Sequence, residues 1–421
     1  MSRERKIYVY ADWVELNERP VLMGVLNAVV VRGKELFYFE YDSRWINAGF
    51  RHVLDSDLQM FSGAQYVHDE KPNFGLFLDS SPDRWGRLLM RRREAALAKF
   101  EKRAVKNLKE SDYLLGVFDA NRMGALRFKL APNEKFLDDQ VGMATPPFAR
   151  LRSLEYASLQ LERSDAPEDK DYMNWLNLLI NPGGSLGGAR PKAGILGEDG
   201  NLWIAKFPSA NDDIDKGAWE MVVHDLAANV GISVPEAQLK RYNSKHHTYI
   251  TKRFDRTKDH RRIHFASAMT MLGYADGTDF HDGASYLEIV EFLVRNGSRT
   301  AEDLEELWTR IVFNIAVTNT DDHLRNHGFL LTQTGWCLSP AYDMNPEQSG
   351  SGLSLNISED DNALDYHLAN AVSPLFRLSE SRANEIMQKV KREVGNWRMY
   401  ASKYGVPRAE QELVSRAFRV E

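Results

Sequence analysis

The sequence predicts an α/β (α+β) fold, with a β-rich small lobe preceded by an extra α/β subdomain and followed by a mainly helical large lobe. Three observations predict it. Residues 7–39 alternate apolar and polar positions in strand fashion. A glycine-rich segment at 181–188 leads into two short apolar runs separated by Glu198-Asp199-Gly200-Asn201. Beyond residue 260 the apolar spacing turns helical.

In the first subdomain, Ile7-Tyr8-Val9-Tyr10, Val21 to Val31 and Leu36-Phe37-Tyr38-Phe39 read as strands, with Arg32-Gly33-Lys34 as a turn. Helical patterns follow at Arg84 to Lys106, Glu110 to Gly116 and Ser153 to Arg163, separated by Ser80-Ser81-Pro82-Asp83 and by the loop from Pro132 through Pro147. The stretch Arg84 to Lys109 is basic, but acidic residues dilute it and aromatics are few, so it reads as a solvated helix face rather than a nucleic-acid patch. In the small lobe, Ala193-Gly194-Ile195-Leu196 and Leu202 to Phe207 form a hairpin, Gly217 to Val230 a helix closed by Gly231, and Thr248 to Phe254 a strand. The large lobe carries helices at Ala266 to Leu272, Tyr286 to Arg295, Ala301 to Asn314 and Glu380 to Tyr400. The expected divisions are 1–150, 151–258 and 259–421.

Composition narrows the class. With 421 residues the chain is too long for one ordinary core, and 43% hydrophobic content suits a globular protein. A net charge of −6 gives no global attraction to nucleic acid or anionic membrane. Cys337 is the sole cysteine, which excludes intrachain disulfides and Cys₄ or Cys₂His₂ zinc sites. The first twenty residues lack the apolar core of a secretion signal, and no apolar run approaches a membrane span, so a cytoplasmic protein with no membrane partner is expected.

Chemistry concentrates in Asn319-Thr320-Asp321-Asp322-His323-Leu324-Arg325-Asn326-His327-Gly328. Asp321 and Asn326 stand in the D-x-x-x-x-N spacing of a kinase catalytic loop, where the Asp accepts the proton of the attacking hydroxyl and the Asn binds Mg²⁺. Seventeen positions on, Asp343 places a second carboxylate at the end of a short strand. One Asn and one Asp suit Mg²⁺, which takes few protein ligands and completes its shell with phosphate and water. Taken alone, Asp321 reads more readily as a helix cap and Asp343 as a structural turn. The parts upstream change that. The glycines let backbone N–H groups approach phosphates, Lys206 on the second strand of the hairpin supplies positive charge to them, and Glu220 on the next helix is a suitable ion-pair partner for Lys206. Loop, hairpin with lysine, helix with glutamate, strand and a helical lobe with Asp, Asn and Asp follow the order of a two-lobed protein-kinase-like fold. Ala189-Arg190 follow Gly188 where a Walker A loop needs Lys-Ser/Thr, which disfavours a P-loop ATPase. The neighbouring carboxylates of Asp321 and Asp322 are expected to raise one pKa, and His323 reads as a packing residue.

These residues resemble the HipA-type toxin kinases of bacterial toxin–antitoxin systems. The resemblance rests on Gly184-Ser185-Leu186-Gly187-Gly188-Ala189-Arg190-Pro191-Lys192-Ala193, Trp203 to Pro208, Arg253-Phe254-Asp255-Arg256, Asn319 through Phe329 and Tyr342-Asp343-Met344. Phe77 to Gly86, Tyr113-Leu114-Leu115-Gly116 and Met123-Gly124-Ala125-Leu126 extend it to the amino-terminal region, so it covers nearly the whole chain.

The resemblance implies a serine/threonine protein kinase using ATP and Mg²⁺. Asp321 is then the general base, Asn326 and Asp343 hold the metal, and Ser185, Leu186, Gly187, Gly188, Ala189 and Lys206 hold the nucleotide phosphates. Backbone groups around Lys252, Arg253 and Phe254 meet adenine; a member of the family carries an acidic residue at the position of Lys252, so a side-chain contact there would not carry over. Ser185 matches the family's autophosphorylated serine, where a phosphate would repel ATP; a plain loop hydrogen bond is the alternative. The implied substrate is an aminoacyl-tRNA synthetase. The implied partner is a HipB-like helix-turn-helix antitoxin, through which operator DNA is reached. A catalytically weak corepressor acting with that antitoxin is the competing reading, and a small-molecule or lipid kinase a third.

Overall fold

The structure is a computed structural model, and it describes residues 4–16, 18–68, 71–137, 145–180, 188 and 190–420. The chain forms two compact units, one of residues 1–211 and 255–266, the other of 212–254 and 267–421.

The first unit opens on β1 (Glu4–Ala11), β2 (Val21–Val31) and β3 (Lys34–Tyr41). Alternation buries Ile7, Val9, Phe37 and Phe39 on one face, as the period of two requires. Arg32 (φ 49°) and Gly33 (φ 84°) form the two-residue turn between β2 and β3, both left-handed as a hairpin matching strand twist demands. Gly24 pairs with Val9 beside the bulge at Met23, and a Cβ there would meet the Glu40 carbonyl oxygen at 2.3 Å. After α1 (Ser43–Asn47) come β4 (Gln65–Tyr66), α2 (Gly75–Leu78), α3 (Arg84–Phe100), α4 (Glu110–Leu115) and β5 (Leu126–Lys129). The five strands order as β4-β3-β2-β1-β5.

The basic helix stops at Phe100, short of the expected Lys106, because Lys102 turns left-handed (φ 54°) and the Arg103 N–H closes on the Ala98 carbonyl. Two of its cations and one just beyond it are engaged: Arg87 with Glu110, Arg92 with the Leu161 carbonyl and Arg103 with Glu94. Next come α5 (Leu151–Leu161), α6 (Tyr172–Ile180) and the hairpin of β6 (Lys192–Leu196) and β7 (Leu202–Lys206). The sequence reading lacks α6, which packs against α3 and α5.

Residues 255–266 belong to this unit and are held by charge. Asp255 accepts the Gly124 N–H at 2.8 Å and Arg256 at 2.6 Å, while Arg262 reaches Asp119 at 2.9 Å. His264 is fully buried and stacks on Trp13 with ring centroids 4.9 Å apart. Burial pushes its imidazole down to about 3. The folded chain therefore keeps His264 neutral while the unfolded chain takes up a proton near the ordinary value of about 6.5. Stability is expected to fall as pH drops from about 6.5 toward 3, by up to about 1.4 kcal/mol per pH unit from this group. Urea titrations at pH 7 and pH 5 check this: His264→Phe keeps the stack and is expected to reduce the pH slope by one proton.

The second unit begins with α7 (Lys216–Val230), which ends at Gly231 with φ 104°, the left-handed closure that favours glycine. β8 (Ala237–Lys240) and β9 (Thr248–Lys252) pair antiparallel. The expected strand over 248–254 thus ends two residues early, and β8 is an addition. β10 (Phe265–Ser267) carries the chain from 255–266 into α8 (Ala268–Leu272), α9 (Tyr286–Asn296) and α10 (Thr300–Val317). Every residue of α10 from Leu307 to Val317 is buried, so this helix is the core of the unit. β11 (Gly328–Thr332) and β12 (Gly335–Leu338) form a hairpin, followed by α11 (Tyr366–Val372), α12 (Glu380–Val394), α13 (Trp397–Lys403) and α14 (Arg408–Val414). The single helix expected over 380–400 breaks at Gly395-Asn396, which lets Trp397 stack on Phe418 at 4.4 Å. Among the described residues no helix is long and apolar enough to cross a membrane.

Candidate active site

The catalytic string begins where α10 ends. Thr318 adopts φ 50°, an uncommon conformation for a β-branched residue, and its N–H still bonds back to the last turn of the helix. This reversal turns the chain so that Asn319 is buried and Asp321 is exposed. The Asn319 amide donates to the Asn314 side chain at 3.0 Å and accepts the Asn345 N–H at 3.2 Å. One buried amide thus links the loop of Asp321 to the segment carrying Asp343.

Asn326 donates its Nδ2 to the Asp321 carbonyl at 2.7 Å, which closes the loop. With Nδ2 so engaged, Oδ1 is the atom left for a hard cation, as the D-x-x-x-x-N reading requires. Asp343 does not lie at the end of a strand: β12 stops at Leu338, and residues 339–344 run on without strand pairing. That segment is pinned instead by single bonds. The Ser339 N–H meets the Gly328 carbonyl at 2.8 Å, Arg310 donates to the Ser339 carbonyl at 2.6 Å, the Ala341 N–H meets the Ser233 carbonyl at 2.8 Å and the Tyr342 hydroxyl meets the Arg325 carbonyl at 2.7 Å. Asp343 then sits at φ 60°, a left-handed position for a non-glycine residue. A strained backbone held by so many anchors marks a residue whose direction is fixed.

Among the described residues no three His, Cys, Asp or Glu side chains gather as a metal cluster. Asn326 and Asp343 fit Mg²⁺ only in the kinase manner, with phosphate oxygens and water filling the remaining positions.

The other expected residues fall in both units. In the second, Lys252 ends β9; its N–H is engaged by the Glu236 carbonyl at 2.8 Å, and its ammonium leans toward the Glu236 carboxylate at 3.8 Å. An adenine edge would therefore meet other backbone groups of Lys252, Arg253 or Phe254. The Phe254 ring tilts against Tyr342 at 5.6 Å, which brings this segment beside that of Asp343. Glu220 is buried on α7. Burial, reinforced by the Glu220 and Asp343 carboxylates, holds the Tyr249 phenol well above its ordinary range, so both acids bear on one interior. In the first unit, Lys206 is the last residue of β7, in register opposite Lys192, and Gly188 is exposed with φ 81°. Ser185, Leu186, Gly187 and Ala189 lie outside the described residues.

One cluster escaped the sequence reading. Asp322 is buried, and its Oδ2 accepts Tyr286 Oη at 2.5 Å, Asn314 Nδ2 at 2.8 Å and His327 Nε2 at 2.7 Å. Burial pushes this carboxyl up, but the charge and hydrogen bond of His327 and the Tyr286 hydroxyl outweigh it and hold it below the usual range. The pKa rise anticipated from the Asp321–Asp322 adjacency is thus absent at Asp322. His323 is half-buried, in line with packing.

Comparison with known proteins gives this geometry its class. The chain belongs to the family of the HipA-like C-terminal domain, whose model matches residues 184–397, just over half of the chain. It is similar to "Putative kinase Y4mE" of Sinorhizobium fredii, 28% identical over 181 residues that make up 38% of this chain and 41% of the relative. It is also similar to a "Putative kinase" of Haemophilus influenzae, 27% identical over 128 residues that make up 28% of this chain and 37% of the relative. The chain thus spans about two fifths of the length of the curated relatives it matches. The HipA of Shewanella oneidensis MR-1, solved as a toxin–antitoxin complex with HipB and operator DNA, superposes with a TM-score of 0.67 over 98% of this chain and 94% of its own at 14% identity. The α/β fold expected from sequence is that of this HipA protein.

Proposed function

We propose that the chain is an ATP-dependent serine/threonine protein kinase and the toxin of a HipA/HipB-type pair. One observation supports the reading: Asp321 is exposed, Asn326 is tied to its carbonyl, and the segment of Asp343 (φ 60°) is joined to that loop by the Tyr342–Arg325 and Asn345–Asn319 hydrogen bonds. In this reading Asp321 takes the proton of the attacking hydroxyl and orients it. Mg²⁺ held by Asn326 and Asp343 supplies charge neutralisation on the phosphates. Lys206, positioned by Glu220, and the glycine-rich segment of Ser185 to Ala189 hold the phosphates, and backbone groups of Lys252 to Phe254 meet adenine. Functionally the chain divides into a HipA-type subdomain at 1–150, a small lobe at 151–258 and a helical catalytic lobe at 259–421.

The Shewanella HipA assembles with HipB and operator DNA. By likeness, a helix-turn-helix antitoxin is this chain's partner, operator DNA is met through it, and an aminoacyl-tRNA synthetase is the substrate. Phosphate on Ser185 would add about −1.5 to −2 charges where the ATP phosphates sit, so the kinase would switch itself off. Incubation of the purified chain with Mg²⁺ and γ-labelled ATP is expected to place one phosphate on Ser185, read by intact mass and peptide mapping. Phosphate only at other sites would remove the off-switch. Absence of both label and nucleotide binding would overturn the kinase reading.

A further inference from the structure

The geometry points to Asp322 and His327 as a positioning pair that sets the spacing of Asp321 and Asn326. This deepens the kinase reading and rests on it. Asp322 and His327 stand five positions apart, as Asp321 and Asn326 do, and each lies one residue after its functional neighbour. Each pair is closed by its own hydrogen bond, Asn326 Nδ2 to the Asp321 carbonyl and His327 Nε2 to Asp322 Oδ2. Asp321 is exposed, whereas Asn326, Asp322 and His327 are 6%, 4% and 2% exposed, and the Asp322–His327 pair is the inner one.

The inner pair is closed and anchored. His327 Nε2 meets Asp322 Oδ2 at 2.7 Å, and among the described residues His327 Nδ1 has no hydrogen-bond partner. A proton on Nε2 is directed at the carboxylate. The same oxygen takes Tyr286 from α9 and Asn314 from α10, so two helices of the core grip the loop through one atom. The space enclosed by Arg310, Asn314, Asp322, Asn326 and Tyr342 is only about 10 Å³, so the loop rests on a filled floor. Breaking the inner pair loosens the loop: Asn326 and Asp321 keep their chemistry but lose their fixed separation, and metal held by Asn326 is the interaction most sensitive to that loss.

The test uses the full chain with ADP and Mn²⁺, so that it does not depend on turnover. In the wild type Mn²⁺ is expected to tighten ADP binding in calorimetry, and Asn326→Ala to abolish that gain. His327→Gln and Asp322→Asn are each expected to reduce the Mn²⁺ gain about tenfold while metal-free ADP affinity stays within about twofold, and the double variant is expected to lose no more than either single one. A purely structural role would weaken both affinities together or neither. Retention of the full Mn²⁺ gain in both single variants would overturn the proposal. A wild type and Asn326→Ala that behave alike would overturn the kinase reading beneath it, and the proposal with it. If His327→Gln melts without cooperativity, Tyr286→Phe carries the test: it removes one of three donors, a threefold loss of the Mn²⁺ gain is expected, and no loss overturns the proposal.

Discussion

Asp321→Asn is expected to reduce phosphoryl transfer from ATP by about 10²–10⁴-fold, the range of a positioned general base. Binding of ADP is expected to stay within about twofold, because the substitution alters the exposed side chain and leaves the backbone carbonyl that holds Asn326. Stability is expected to move by no more than about 0.5 kcal/mol, since the side chain is exposed. Single-turnover transfer from γ-labelled ATP checks the rate, and expression in cells checks the consequence: the wild type is expected to arrest growth and the variant to be harmless. Wild type and variant equally harmless, with ATP untouched by either, would favour the corepressor reading. A variant that transfers phosphate at the wild-type rate would remove Asp321 from the chemistry.

The legibility of this site in the sequence follows the distance over which its parts interact. Asp321 and Asn326 are five residues apart, and their hydrogen bond is local, so spacing alone exposes it. The hairpin of β6 and β7 and the Arg32-Gly33 turn are local in the same sense. Asp322 and His327 carry the same spacing, yet nothing local says which of two adjacent aspartates faces the core. That choice is made by Tyr286 and Asn314, which lie 36 and 8 positions away on buried helices. A repeat of D-x-x-x-x in step, ending on Asn and then His, is the signal that was present. The short α6, whose residues Tyr172–Ile180 offer an apolar run without cap or clear period, and the four-residue β8 were missed for the reason that their state is set by what they pack on. Asp343 reads as a strand end because apolar residues precede it. Its position depends on Arg310 and Tyr342, and extended chain held by single bonds has no pattern of its own.

The second large effect concerns a pair that the sequence holds in two family-like strings without linking them. Lys192, the first residue of β6, and Asp83, the N-cap of α3, meet at 3.0 Å with side chains 3% and 2% exposed. The Asp83 carboxylate also accepts the Gly86 N–H at 2.7 Å. Lys192 stands in register opposite Lys206, so two cations share one face of the hairpin, and Asp83 neutralises the buried one. Lys192→Met removes the cation 3.0 Å from a buried carboxylate and is expected to destabilise the first unit by about 3–5 kcal/mol. Lys192→Met combined with Asp83→Asn keeps the helix cap and removes both charges. Its loss is expected to be smaller, about 1–2 kcal/mol, because the uncompensated charge is gone. Urea unfolding of the wild type, the single and the double variant decides it. A double variant more stable than the single one identifies the charge as the cause, whereas a single variant within about 1 kcal/mol of wild type would show that the pair contributes little. Because β6 leads directly out of the glycine-rich segment and its partner strand ends on Lys206, the same variants ask whether this hairpin owes its placement to a helix cap 109 residues upstream.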